Sequence, residues 1–187
     1  AAFRAADLGK SVILIERSST IGGVCLNVGC IPSKALLHTA KVITDAEDTG
    51  SHGVTFTKPE IDIEKLRDWK SNKEVKKLTM GLTQMAKQRG VQVIEGQGQF
   101  ISANQISVTA KDGLQTIIGF QSAIIAAGSQ PTKIPGTPID DRIMDSTGAL
   151  ELKDIPKKLL IIGGGIIGLE MGTVYDALGS KVSDRKS

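Results

Sequence analysis

No apolar run in the chain approaches the roughly 20 residues that a bilayer-spanning helix needs, so no membrane segment is expected. The first ten residues place Arg4 and Asp7 inside an Ala-rich stretch, which is not the pattern of a signal peptide. Charge of one sign is also in short supply. The 23 Lys and Arg nearly balance the 20 Asp and Glu, for a net charge of +3, and the small excess is spread along the chain. A nucleic-acid or membrane-surface partner needs a concentrated basic footprint, and neither is expected. Cysteine and histidine number two each. What is present is an ordinary globular composition, 40% hydrophobic with 21 glycines over 187 residues, enough for one domain and part of another. A cytoplasmic, reducing setting is the default expectation. There, two cysteines are metal-binding, catalytic or buried rather than a passive staple.

The pattern of elements is α/β. Residues 1–8 read as the end of a helix closed by Gly9, followed by Ser11–Glu16 as a fully buried strand ending in an acid. Residues 20–32 read as a glycine-rich loop holding both cysteines, and residues 33–46 as a helix. A second helical stretch runs from about Ile61 to Arg89. A β-rich stretch opens at Val91, and the alternation from Phe100 to Phe120, around a turn at residues 111–113, predicts an antiparallel hairpin or meander. Residues 122–126 read as another buried strand. Pro and Gly clustered from Pro131 to Pro138 predict a crossing between domains. Residues 158–162 then form a strand running into Gly163, and Ile167, Met171, Val174 and Leu178 recur at helical spacing up to a C-cap at Gly179.

The two ends repeat each other. Residues 8–12, Leu-Gly-Lys-Ser-Val, match residues 178–182, Leu-Gly-Ser-Lys-Val, each closing a helix and opening a strand. The expectation is two Rossmann-like dinucleotide-binding units, both incomplete: a first domain over residues 1–130 and the start of a second over 131–187. Counting the same offset back from Leu8 puts the first unit's glycine motif upstream of Ala1, and the absence of an initial Met agrees. The strand after Gly179 is expected to run on to a ribose-binding acid, but residues 183–186, Ser-Asp-Arg-Lys, are polar and stop.

Three groups of residues carry chemistry. Gly163, Gly164, Gly165, Ile166, Ile167 and Gly168 follow a strand and open a helix, the setting in which such glycines bring a backbone against a pyrophosphate; a packing turn is the alternative. Glu16 ends a strand where these units place an acid on a ribose, unless it is a plain solvated terminus. Cys25 and Cys30 flank Leu-Asn-Val-Gly. Zinc fits poorly, because the spacing is wrong and His38 and His52 form no second ligand pair, so no metal is expected. Structural thiols are the bland alternative. Against them, Pro32 suits the first turn of a following helix whose dipole favours a thiolate, and Lys34 lies about one turn beyond Cys30. A dithiol cycling through a disulfide is the consequence.

At this point a family likeness becomes specific. Residues 22–34, GGVCLNVGCIPSK, resemble the redox-disulfide signature of the flavoprotein disulfide reductases, and the continuation ALLH at 35–38 is similar to the bacterial dihydrolipoyl dehydrogenase branch rather than to glutathione or mercuric reductases. Residues 126–129, AAGS, and the second glycine motif extend the likeness to about Ser180. The resemblance implies FAD and NAD as cofactors. It implies that Cys25 exchanges with a dihydrolipoyl group, that Cys30 contacts the flavin, and that Lys34 pairs with Glu170 beside it. Glu170 also suits the helix dipole, an effect worth about 0.3–1 kcal/mol. Glu16, Gly22, Gly23, the Gly98 backbone, Ala126, Ala127, Gly128 and Ser129 would lie along FAD, and residues 163–168 along the NAD pyrophosphate. It further implies a homodimer in the full-length form, working on lipoyl domains of 2-oxoacid dehydrogenase or glycine cleavage complexes. Most of the NAD domain and the family's C-terminal dimerisation domain are not in this sequence, so the fragment alone is expected to turn over little. A non-catalytic nucleotide-binding module is the reading from another class, and the cysteine pair speaks against it.

Overall fold

The structure is a computed structural model describing residues 1–185. By internal packing the chain forms two compact units. The first comprises Ala1–Gly23 and Leu78–Ser129, and the second Val24–Lys77 together with the chain from Gln130 onward.

In the first unit, helix α1 (Ala2–Asp7) leads into strand β1 (Ile13–Glu16), which pairs in parallel with β2 (Gln92–Glu95), Ile13 opposite Gln92 and Glu16 opposite Glu95. Helix α1 closes on Gly9 at φ 77°, with the Gly9 N–H donating to Ala6 at 2.8 Å and the Lys10 N–H to Ala5 at 3.1 Å. The paired bonds satisfy two helix-end carbonyls and require a left-handed residue, hence the glycine. Beyond β2 an antiparallel meander follows, β3 (Gln97–Ser102), β4 (Gln105–Thr109) and β5 (Gln115–Gly119), as the alternation predicts. The core is thin. Ile21, Ala86 and Val91 are buried, with Phe3, Val12, Leu14 and Leu82 packed partly against them.

Two expectations for this unit fail. Residues 11–16 are half-buried or exposed rather than fully buried, because among the described residues β1 has a single neighbouring strand. Residues 122–126 form no strand, and Ile124 and Ile125 are exposed. Their apolar composition suits a strand, but a strand needs a ladder partner for its N–H and C=O groups, and among the described residues no strand pairs with this segment.

The second unit contains helix α2 (Gly23–Val28), the long helix α3 (Cys30–Asp48), α4 (Ile63–Asp68) and a seven-residue π-helical stretch at Trp69–Val75. Helix α5 (Lys76–Gln88) then carries the chain into the first unit. Later come α6 (Ser146–Glu151), β6 (Lys158–Ile162), α7 (Ile166–Ala177) and β7 (Lys181–Arg185). Strands β6 and β7 pair in parallel around α7, the Rossmann-like unit expected from the sequence. Helix α7 ends as α1 does. Gly179, at φ 111°, donates to Asp176 at 2.9 Å, and Ser180 donates to Tyr175 at 2.9 Å. Ser183, Asp184 and Arg185 extend β7 opposite Leu160, Ile161 and Ile162, so the polar end is strand rather than a stop. Lys186 lies outside the described residues.

The core of this unit is larger. Leu36 and Ala40 from α3, Ala149, Leu150 and Leu152 around α6, and Met171, Val174, Tyr175 and Leu178 from α7 are buried together. The Tyr175 hydroxyl donates to the Ala149 carbonyl at 3.0 Å, so its one polar atom is satisfied. Lys70, in the π-helical stretch, is buried and donates through Nζ to the Leu150 carbonyl. Desolvation pushes its pKa down, and Arg67 adds to the fall. Among the described residues no helix is long and apolar enough to cross a membrane.

Candidate active site

The cysteines stand on helices, not in the loop that their glycine-rich surroundings predicted. The turn comes earlier, at Gly22 and Gly23, which have φ 126° and 63°, and helix begins at once. Cys25 lies in α2 and Cys30 is the first residue of α3. The single residue between the helices is Gly29, where a Cβ would fall 2.9 Å from the Val24 carbonyl oxygen and 3.0 Å from the Cys25 Cα. Only glycine lets α3 start this close to the Cys25 turn, and that approach brings the thiols within reach of each other. Both are free and exposed. The hydrogen bond with the Cys30 thiol, followed by desolvation, holds the Cys25 thiol above its ordinary pKa.

Pro32, Ser33 and Lys34 occupy the first turn and a half of α3. Lys34 forms an ion pair with Glu170 of α7, which lies 136 positions away in sequence. The Ser33 hydroxyl donates to the second carboxylate oxygen of Glu170 at 2.5 Å. Glu170 is therefore held below the usual carboxylate range, chiefly by the Lys34 ammonium and then by Ser33. Lys34 is raised in turn by Glu170, with smaller contributions from Cys30 and Cys25.

The aim of Glu170 follows from the other face of α7. A Cβ at Gly172 would lie 2.9 Å from Ile161 Cδ1, and one at Gly168 would lie 2.4 Å from the Gly163 carbonyl oxygen. These glycines, four apart, form the face that presses onto β6. Glu170, two residues from each, projects from the opposite side. Gly163 has φ 106°, Gly165 is the N-cap of α7, and a Cβ at either would meet open space. No side chain caps the helix, so the free N–H groups of the first turn fit a pyrophosphate, the part of NAD that the glycine motif implies. Asp184, on β7, comes close to this loop: a Cβ at Gly164 would lie 3.2 Å from its Oδ2.

The other expected cofactor residues fall in the first unit. Glu16 ends β1, its carboxylate accepting the Ser18 N–H at 3.0 Å. Beside it an open cleft of about 450 Å³ is lined by Arg17, Gly96, Gln97, Thr109 and Lys111 among others. Gly98, which the resemblance implies lies along FAD, is where a Cβ would make ordinary contacts with Ile106 and Ile15. At Gly96, two residues earlier, a Cβ would lie 2.6 Å from Val108. Ala126, Ala127, Gly128 and Ser129 lie in exposed coil, with Gly128 at φ 74°. The sequence also left Ser33 unnoticed, a buried hydroxyl inside a motif read for its charges.

Comparison with known proteins identifies the family. The profile of the pyridine nucleotide-disulphide oxidoreductase family matches residues 1–185. The chain is 60% identical over 183 residues to a protein named dihydrolipoyl dehydrogenase from Vibrio parahaemolyticus, and 43% identical over 182 residues to one of the same name from Bacillus subtilis. Each comparison covers 97% of this chain and 38% of the relative, so the chain spans well under half the length of the proteins it matches. Among solved structures it is similar to the HOCl-induced flavoprotein disulfide reductase RclA of Escherichia coli, with a TM-score of 0.79 and 30% identity over 98% of this chain and 38% of that one.

Proposed function

The chain belongs to the pyridine nucleotide-disulphide oxidoreductase family, and on that premise we propose that it carries the dithiol half of a dihydrolipoyl dehydrogenase, which oxidises protein-bound dihydrolipoyl groups and passes the electrons through FAD to NAD. The observation that carries this reading is the pair of exposed thiols at the α2–α3 junction, next to the Lys34–Glu170 ion pair. The relatives' shared name supports the dihydrolipoyl substrate over glutathione or mercuric ion.

In the oxidised state Cys25 and Cys30 would share a disulfide. A dihydrolipoyl thiolate attacks the Cys25 sulfur, which breaks the Cys25–Cys30 bond and leaves Cys30 as a thiolate. The second dihydrolipoyl thiolate then attacks the sulfur bound to Cys25, closing the lipoyl disulfide and releasing Cys25. Two electrons now reside on the dithiol, and the Lys34 ammonium, held by Glu170, offsets the negative charge there. The chemistry that FAD would supply when bound is acceptance of this electron pair and its onward transfer to NAD. Glu16, Gly22, Gly23, Gly98 and residues 126–129 would hold FAD, and residues 163–168 would hold NAD. The domain division near residue 130, a homodimer, lipoyl domains of 2-oxoacid dehydrogenase or glycine cleavage complexes as partners, and a cytoplasmic setting complete the reading.

The test is anaerobic titration of the flavin-loaded, full-length protein with dihydrolipoamide, with Cys25→Ser and Cys30→Ser alongside. The expected result is a long-wavelength thiolate–flavin band that survives Cys25→Ser and is lost in Cys30→Ser. Flavin reduction indifferent to both substitutions would overturn the assignment.

A further inference from the structure

We infer that Ser33 is a positioning residue. Its buried hydroxyl fixes the Glu170 carboxylate so that one oxygen is reserved for Lys34, and it thereby sets where the Lys34 ammonium stands. The inference deepens the proposed role of the Lys34–Glu170 pair and rests on it.

Hydroxyls on helices usually bond back to the carbonyl four residues earlier. Thr39 and Thr44, further along α3, do so to Ala35 and Ala40 at 3.5 and 3.1 Å. Ser33 instead reaches across to α7 and donates to Glu170 Oε2 at 2.5 Å, while Oε1 receives Lys34. Ser33 is only 5% exposed, and the Glu170 side chain 16%, so this oxygen has little water to turn to. The Lys34 side chain, by contrast, is 61% exposed. A flexible, solvated ammonium does not orient a carboxylate by itself, because the pair can rotate and exchange with water. A buried hydroxyl on a rigid first turn does, since losing it leaves a desolvated oxygen unpartnered.

The test is a titration of Glu170 in the full chain by carbon-detected NMR of labelled glutamate, with Glu170→Gln identifying its signal. Ser33→Ala should shift the Glu170 midpoint upward toward the ordinary carboxylate range. Ser33→Thr and Ser33→Val have nearly the same shape and differ in the donor, so the Thr variant should keep the low midpoint and the Val variant should lose it. That pair decides the matter even if the Ala variant fails to fold. Equal midpoints in the Thr and Val variants would overturn the inference. The readout needs neither flavin nor dihydrolipoyl substrate, so its failure is separable from failure of the oxidoreductase reading.

Discussion

The two units use the same helix-to-strand device but support it differently. Among the described residues, three α-helices end on a left-handed glycine with the same pair of backbone bonds, α1 at Gly9, α5 at Gly90 and α7 at Gly179, and the short helical turn Thr49–His52 closes likewise at Gly53. In the second unit the closing turn of α7 is anchored by Val174, Tyr175 and Leu178 in a core of nine buried residues. In the first unit the turns of α1 and α5 rest on a core of three, Ile21, Ala86 and Val91. A local motif thus specifies the turn, while the layers packed around it decide how much burial holds it. The residues that need fixed geometry, Ser33, Lys34 and Glu170, stand on the better-packed helices. Glu16, whose proposed work is to meet a ribose at an open cleft, stands on the thinner one.

The largest effect that sharpens this contrast is expected from truncating each core. Tyr175→Ala should cost about 3–5 kcal/mol, the range for removing a buried aromatic ring, and it also removes one of the two donors to the Ala149 carbonyl, leaving the Leu152 N–H. Val91→Ala should cost about 1.5–2 kcal/mol, at ~0.8 kcal/mol per buried CH₂. Urea unfolding of the chain measures both, and equal losses would erase the distinction between the cores.

A pH effect follows from the same ring. Tyr175 is the only tyrosine in the sequence, and burial, aided by Asp154, pushes its pKa up to about 12. An unfolded tyrosine ionises near ~10. The folded form therefore holds its proton more tightly, and the stability this represents is complete below the unfolded value and lost as pH rises through about 12. Phenolate absorbance should stay low up to the point where the chain unfolds and then appear together with loss of helix. Ionisation near 10 with helix intact would mean that the second core admits water.

Some of this organisation was legible in the sequence for a physical reason. Gly9 and Gly179 could be matched because a left-handed C-cap nearly demands glycine and the neighbouring residues repeat. Gly90 obeys the same rule but sits in Arg-Gly-Val, without the matching leucine, and was passed over. Residues 122–126 were misread because apolar composition is local and a ladder partner is not. The cysteine segment was read as loop because α2 is only six residues long, too short for a helical period to register beside so many glycines. Lys34 and Glu170 were matched through the family likeness. Ser33 was not, since nothing local to a serine reveals an acceptor 137 positions away.

The most direct test of the central claim is to oxidise the chain mildly and map its cysteines by mass spectrometry before and after dihydrolipoamide. The account predicts one intramolecular Cys25–Cys30 disulfide, reopened by one equivalent of dihydrolipoamide with formation of lipoamide. Cysteines that oxidise singly or between chains, or a disulfide inert to dihydrolipoamide, would contradict it.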